Sequence, residues 1–115
     1  MIQRLHAGAR MSQAVIHGPT VYLAGQVAAD PSQNVVGQTR EVLEAIDRLL
    51  AEAGTDKTKI LFATVYLADI STFAEMNSVW DAWVSRDHPP ARAKVEARLA
   101  APAYQVEIQV IAARG

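Results

Sequence analysis

The sequence predicts an α+β fold in which a mixed six-stranded sheet carries two helices on one face. Residues 91–99 and 104–112 each alternate apolar with polar side chains, which is the period of a strand with one buried face. Residues 39–53 and 72–84 instead repeat apolar side chains at the spacing of an amphipathic helix. With the strands predicted elsewhere in the chain, the order is strand, strand, strand, helix, strand, helix, strand, strand.

The composition limits the size, location and partners of the protein. The chain has 115 residues, enough for one domain with a core, and we expect a single domain over residues 1–115. Its 11 basic and 12 acidic residues give a net charge of −1, which offers no footprint for nucleic acid or an anionic membrane. Residues 1–6 lack the apolar run of a signal peptide, so we expect a cytoplasmic protein.

Metal and cofactor chemistry is not indicated by the residue inventory. Cysteine is absent, which excludes disulfides, thiolate nucleophiles and Cys-ligated metals. His6, His17 and His88 have no partner at the spacing of metal ligands. The sequence also has no glycine-rich phosphate loop and no Gly-x-Ser-x-Gly elbow. We therefore expect neither a metal nor a cofactor.

Three strands are predicted before the first helix. Residues 2–6 form a short strand at an edge of the sheet. Residues 12–17 and 20–27 form a hairpin, because the Gly18-Pro19 pair between them is a strong turn signal. Within the second hairpin strand, Gly25 predicts a bulge or a place where another group approaches the backbone closely.

The middle of the chain predicts two helices separated by a buried strand. The helix over residues 39–53 ends at Gly54, which is free to adopt a positive φ. Residues 60–67 are apolar on both faces, so we expect an internal strand covered on each side. Thr72 and Glu75 have the spacing of a capping box, which predicts the start of the second helix.

The second helix presents one apolar stripe, made of Phe73, Met76, Trp80, Trp83 and Val84. Asn77 lies on the same stripe, so an amide is carried to the packed side of the helix. From the residues alone, Asn77 is either a candidate site residue or a buried amide that satisfies backbone groups of a loop.

The last two strands carry the candidate site residues. The alternation predicts that Ala91, Ala93, Val95, Ala97 and Leu99 face the core, with Val106, Ile108 and Val110 beside them. Arg92, Lys94 and Glu107 are then expected on the face turned away from the core. An Arg and a Glu on stiff strands are suited to holding a carboxylate and moving a proton. The alternatives are a solvated Arg92 and a Glu107 that only belongs to a polar face.

The second face of the predicted sheet needs cover. Because residues 60–67 are apolar on both sides, both faces of the sheet have apolar side chains to bury. The two helices occupy one face, and the chain is too short to supply a second layer. The sequence therefore predicts self-association that buries this face and forms clefts between copies.

A resemblance runs through nearly the whole chain. It rests on Leu-Ala-Gly-Gln at 23–26, Glu-Ala-Gly at 52–54, residues 64–69, Phe73 with Asn77, Pro-Ala-Arg at 90–92, Arg-Leu at 98–99, Val-Glu-Ile at 106–108 and Ile-Ala at 111–112. In their order and spacing these segments resemble the RidA (YjgF, reactive intermediate deaminase) family. The resemblance implies a homotrimer with a chorismate-mutase-like α+β fold and with ligand clefts between the subunits.

The resemblance also implies an activity and a set of site residues. Members of the family hydrolyse 2-aminoacrylate-type enamines and imines to 2-oxo acids and ammonia, without a cofactor. The family's carboxylate-binding Arg falls on Arg92, its water-associated Glu on Glu107 and its site Asn on Asn77. Gly25, with Ala24 before it, falls where the family brings backbone close to the ligand.

Three departures from the family pattern affect the expected substrate. Met11, Ala24 and Lys94 stand where the family often has Tyr, Ser and Cys. Two interpretations of Lys94 are open: it points into water, or it attracts a second anionic group, which would favour a larger or dicarboxylic imine. Two other functions remain open from the sequence: a non-catalytic binding or regulatory protein that senses a 2-oxo or aromatic acid in the same cleft, and a surface-driven holdase.

Overall fold

The computed structural model describes residues 1–115 and contains the predicted six-stranded mixed sheet with two helices on one face. The strands are β1 Ile2–Leu5, β2 Ala14–His17, β3 Thr20–Leu23, β4 Ile60–Leu67, β5 Ala91–Glu96 and β6 Val106–Ala113. The helices are α1 Val35–Glu52 and α2 Phe73–Trp83. The strand order is β1-β2-β3-β6-β4-β5, in which only β4 and β5 pair in parallel. No helix is long and apolar enough to span a membrane.

The core lies between the two helices and the covered face of the sheet. The predicted apolar side of α1 is buried, and Val42, Ile46 and Leu50 have no exposed surface. The sheet presents Ile108 and Val110 of β6 to the same core, also with no exposed surface. Burying one such aliphatic side chain contributes about 2 kcal/mol. Strand β6 is central because it pairs with both β3 and β4.

Helix α1 begins at Val35 rather than at the predicted Thr39. Asn34 is its N-cap, and the side chain of Asn34 accepts a hydrogen bond from the Gly37 amide at 3.0 Å. The first turn has weak helix formers, but its cap and the burial of Val35 outweigh their low propensity. The predicted end is confirmed, because Gly54 has a φ of 84°.

The predicted capping box at the start of α2 is wrong. Thr72 makes no side-chain capping bond and instead donates its hydroxyl to the Asp69 carbonyl at 2.7 Å. Asp69 caps a short 3-10 turn, Ile70–Thr72, that runs directly into the helix. The hydroxyl and amide of Ser71 both donate to the Asp69 carboxylate, and these bonds lower the pKa of Asp69 below its usual value.

Strand β4 is internal, as predicted, and lies between β6 and β5. Its second face is left open by this chain. A row of side chains in register across that face runs through Tyr22, Ile111, Phe62 and Ala91, on four neighbouring strands. Tyr22 is 45% exposed and Phe62 is 38% exposed. We call this second face the open face. The homotrimer that would cover it stays a prediction.

One buried amide ties two loops to the core. Gln38 of α1 has no exposed surface. Its side-chain nitrogen lies 3.1, 3.0 and 3.0 Å from the carbonyl oxygens of Pro31, Gln33 and Ala103. Its side-chain oxygen accepts a hydrogen bond from the Gln105 amide at 2.9 Å. Gln38 therefore fixes the loop before α1 and the loop before β6 to each other.

The Gln38 bonds give a stability prediction. Gln38→Met keeps the length of the side chain but leaves the Gln105 amide without an acceptor and removes the NH2 group that three carbonyls share. We expect the free energy of unfolding, measured by urea denaturation, to fall by at least about 2 kcal/mol. Gln3→Met, at an exposed position of β1, is the control and should change it by less than about 0.5 kcal/mol. Equal stability of the two variants would contradict this role of Gln38.

Candidate functional site

The structure reverses the predicted facing of β5. Arg92 is in register with Ala63, which has no exposed surface and faces the helices. Arg92 and Lys94 therefore lie on the helix side of the sheet. The apolar side chains that were expected in the core lie on the open face instead; they are Ala91, Ala93 and Val95. The strand also ends at Glu96, so Ala97 and Leu99 lie beyond it.

The reversal has a physical cause. Strand β5 is the last strand of the sheet, and the α2 side chains next to it include the aromatic rings of Phe73 and Trp80. Long cationic side chains pack their stems on such rings and keep their charges near solvent. Alternation along a strand gives a period of two, but it does not say which of the two faces the helices cover.

Arg92 is held in place by α2. Its Nη1 donates to the side-chain oxygen of Asn77 at 2.8 Å. Its guanidinium carbon lies 5.0 Å from the centroid of the Trp80 ring and 5.6 Å from that of Phe73. The expected position of Asn77 on the packed side of α2 is confirmed. Since a guanidinium carries five N–H donors, most of them stay free for a ligand.

Lys94 shares the Phe73 ring with Arg92. Its ammonium nitrogen lies 4.2 Å from the centroid of that ring. The one ion pair within 4.0 Å in the structure joins His6 and Glu52, so no carboxylate neutralises Arg92 or Lys94. Two cations on one strand are therefore left without an anionic partner.

Glu107 lies on the open face. Its neighbours Val106 and Ile108 are buried in the core, and its register partner on β4 is Tyr66. Gly25 sits against its carboxylate, since a Cβ on Gly25 would overlap that group. The predicted close approach at Gly25 is thus confirmed.

A groove of about 370 Å³ runs beside the Glu107 carboxylate. Its lining is formed by Gly25, Tyr66, Ala97, Arg98, Leu99, Ala100, Glu107 and Gln109. Ala24 does not line this groove, and its carbonyl accepts a hydrogen bond from the Gln26 side chain. A second groove of about 640 Å³ shares the lining residues 97–100 with the first, and we call this shared segment the wall.

The structure brings the candidate residues together in two groups. Arg92, Asn77 and Lys94 form one group on the helix side of β5. Glu107 and Gly25 form the other on the open face. Because the two groups lie on opposite faces of one sheet, a single chain cannot place Arg92 and Glu107 around the same small ligand.

Sequence reasoning missed two polar residues of the Glu107 groove. Tyr66 was assigned to a strand apolar on both faces, whereas its ring stands next to Glu107 on the open face. Arg98 was assigned to the polar side of a longer β5, whereas it lies in the wall after the strand. The phenol of Tyr66 was the available signal, because a hydroxyl on an apolar strand needs a polar neighbour.

A mixed six-stranded sheet with both helices on one face and an open second face defines an α+β protein of the chorismate-mutase-like class. The family model described as "Endoribonuclease L-PSP" matches residues 1–114. A RutC family protein of Haemophilus ducreyi is 47% identical over 113 residues, which cover 98% of this chain and 97% of that protein. The chain belongs to the RidA/YjgF family, and the resemblance seen in the sequence is confirmed.

Two further comparisons concern the structure and the activity of relatives. The crystal structure of a YjgF family member from Neisseria meningitidis matches with a TM-score of 0.97 and 44% identity, over 100% of this chain and 96% of the other. The goat (Capra hircus) protein named 2-iminobutanoate/2-iminopropanoate deaminase is 36% identical over 110 residues, which cover 90% of this chain and 80% of that protein.

The contact between Gly25 and Glu107 gives a structural prediction. In Gly25→Ala the new methyl group overlaps the Glu107 carboxylate, which must swing away. We expect the ¹³C resonance of that carboxyl carbon to shift, while the free energy of unfolding changes by less than about 1 kcal/mol because only a flexible side-chain end moves. The matched control is Gly8→Ala, whose Cβ would come no closer than 3.8 Å to the Met11 carbonyl. An unmoved resonance in Gly25→Ala would contradict the contact.

Proposed function

We propose that the protein hydrolyses imines and enamines of 2-amino acids to 2-oxo acids and ammonia, in clefts between copies of the chain. The observation that carries the proposal is an Arg guanidinium with no carboxylate partner and a Glu carboxylate that opens on a groove. The goat relative is named as an imine deaminase, which supports the same chemistry.

Arg92 is proposed to bind the carboxylate of the substrate. The bond to Asn77 and the rings of Phe73 and Trp80 fix the plane of its guanidinium before the ligand arrives. A fixed guanidinium can bind both oxygens of a carboxylate, which a Lys ammonium cannot do. Orientation of the substrate supplies part of the rate acceleration, because the imine carbon is held in one place.

Glu107 is proposed to move the protons of hydrolysis. The imine carbon is already electrophilic, so the oxygen of one water forms a bond to it while the C=N double bond becomes single. Glu107 takes a proton from that water and gives it to the nitrogen. In the resulting carbinolamine, Glu107 moves the proton of the new hydroxyl group to the nitrogen, the C–N bond breaks, ammonia leaves and the carbonyl of the 2-oxo acid forms. No oxidant or reductant takes part.

The two groups are proposed to come from different copies of the chain. Arg92 and Glu107 lie on opposite faces of one sheet, and the open face carries the exposed aromatic side chains of Tyr22 and Phe62. Packing the open faces of three chains against one another would bury these rings and bring Glu107 of one copy toward β5 of the next. Such an assembly completes a cleft that no single chain has.

A second candidate is a binding or regulatory protein for a 2-oxo acid. One observation favours it: Arg92, Asn77 and Lys94 stand together in one chain, while Glu107 is apart from them. Carboxylate binding therefore needs only one chain, whereas hydrolysis needs two.

Glu107→Gln separates the two candidate functions. Gln has nearly the same shape, so the affinity for 2-oxobutanoate, measured by calorimetry, should stay within about twofold. Because an amide cannot carry the proton, the hydrolysis of 2-iminobutanoate generated by an amino-acid oxidase should fall by roughly a hundredfold or more. Gln109→Glu, one step along the open face, is the control for a change of charge in this groove. Full activity of Glu107→Gln would rule out Glu107 as the proton carrier.

Mixing two inactive variants tests whether the cleft is shared. Arg92→Ala and Glu107→Gln should each lack hydrolysis, Arg92→Ala because a charge-assisted contact is lost. In oligomers assembled from equal amounts of the two chains, about a quarter of the clefts receive both native residues, so about a quarter of the activity should return. Light scattering should give a mass near three chains. Mixed oligomers without activity would contradict a cleft between copies.

A further inference from the structure

We propose that the site takes the imines of dicarboxylic amino acids, with Lys94 binding the second carboxylate. The inference rests on the proposed function, because it assumes that Arg92 binds the carboxylate next to the imine carbon. In this inference, Lys94 makes the site bind substrates that end in a carboxylate more tightly than substrates that end in a methyl group.

Lys94 and Arg92 have the geometry of a pair of anion-binding groups. They are two residues apart on one strand, so their side chains leave the same face about 7 Å apart at the backbone. Both cations lie against the Phe73 ring, at 4.2 Å for the Lys94 nitrogen and 5.6 Å for the Arg92 guanidinium carbon. Arg92 also lies against Trp80, at 5.0 Å, whereas Lys94 is an exposed residue.

The position of Lys94 differs from that of a lysine that only protects a sheet edge. Lysines on edge strands prevent pairing with other chains by extending into water. Lys94 is also exposed, but its ammonium nitrogen lies over the Phe73 ring that Arg92 contacts, so two cations that repel each other share one ring. A bound anion between them would relieve that repulsion.

No acidic side chain forms an ion pair with Arg92 or Lys94. The nearest carboxylate on the same face of β5 belongs to Glu96, two residues after Lys94. Its oxygen accepts a hydrogen bond from the Ile70 amide at 3.0 Å, and it makes no ion pair with Lys94. Glu96 thus faces the loop before α2, and the ammonium group of Lys94 stays available to a ligand.

The substrate that matches this surface has two carboxylates separated by a short chain. With its first carboxylate on Arg92, an imine of four or five carbons reaches along β5 toward Lys94 with its second carboxylate. An ammonium group next to this carboxylate forms charge-assisted hydrogen bonds, whereas a methyl group in the same place leaves the ammonium group unpaired. The expected difference in affinity is about tenfold or more.

The test compares ligands that differ only at the distal end. Calorimetry on the wild-type oligomer should show 2-oxoglutarate binding at least about tenfold more tightly than 2-oxopentanoate. Lys94→Gln keeps a long polar side chain without the charge, and in this variant the ratio of the two affinities should approach one. Lys59→Gln, at an exposed position in the turn before β4, is the matched control and should keep the wild-type ratio.

Hydrolysis of the two corresponding imines, 2-iminoglutarate and 2-iminopentanoate, is measured in parallel. A preference for 2-iminoglutarate that Lys94→Gln removes supports the inference. Equal affinity of the wild-type protein for both 2-oxo acids, or an unchanged ratio in Lys94→Gln, overturns it even if hydrolysis is fast. Lack of hydrolysis of both imines with a retained binding preference overturns the proposed enzymatic function but supports Lys94 as the selecting residue.

Discussion

The two-residue period of side chains along a strand decides where every candidate site residue lies. Strand β4 stands between β5 and β6, and its register links Ala63 to Arg92 and Tyr66 to Glu107. Because Ala63 and Tyr66 are an odd number of residues apart, their side chains point to opposite faces. A shift of β5 by one residue would turn Arg92 to the open face and would turn Ala91 and Ala93 to the helix side. The registers of β4 with its two neighbours therefore place Arg92 and Glu107 on opposite faces of the sheet.

Most of the fold follows from patterns that are visible in the sequence. Local sequence rules predict the helical spacing of apolar residues in 39–53 and 72–84, the turn at Gly18 and the helix end at Gly54. Tertiary packing does not override these rules here. The start of α1 does not follow from the pattern, since Val35 is a weak helix former that is retained by a cap and by burial. Local propensity and tertiary burial conflict at that point, and burial prevails.

The site was predictable in its residue types but not in its arrangement. The sequence predicts Arg92 and Glu107 on one polar face, and the structure places them on two. The alternation of β5 is symmetric: small alanines and long cations can each face the helices, and the aromatic rings of Phe73 and Trp80 favour the cations. That preference depends on which helix lies over the edge strand, and a single sequence gives no direct information about it. The close contact at Gly25 could be predicted, because a glycine in a strand pattern indicates a close neighbour on either face of the sheet.

The family model that matches this chain is described as an endoribonuclease, an enzyme whose substrate is a polyanion. Ribonucleases bind phosphates through clustered positive charge, whereas this chain has a net charge of −1. Arg92 and Lys94 lie against aromatic rings of one helix rather than along an extended surface. The carboxylate substrate proposed above needs only such a local pair of cations.

Gln38 connects parts of the chain that are far apart in sequence. Its single amide holds the carbonyls of the loop before α1 and both the carbonyl of Ala103 and the amide of Gln105. Residues 97–100, the wall shared by the two grooves, lead directly into this second loop. The shape of the wall is therefore constrained by residues 31–33, which touch neither groove. During divergence of the family, these two loops should change together, so the evolutionary history of the two grooves is expected to be recorded partly in a loop that lines neither of them.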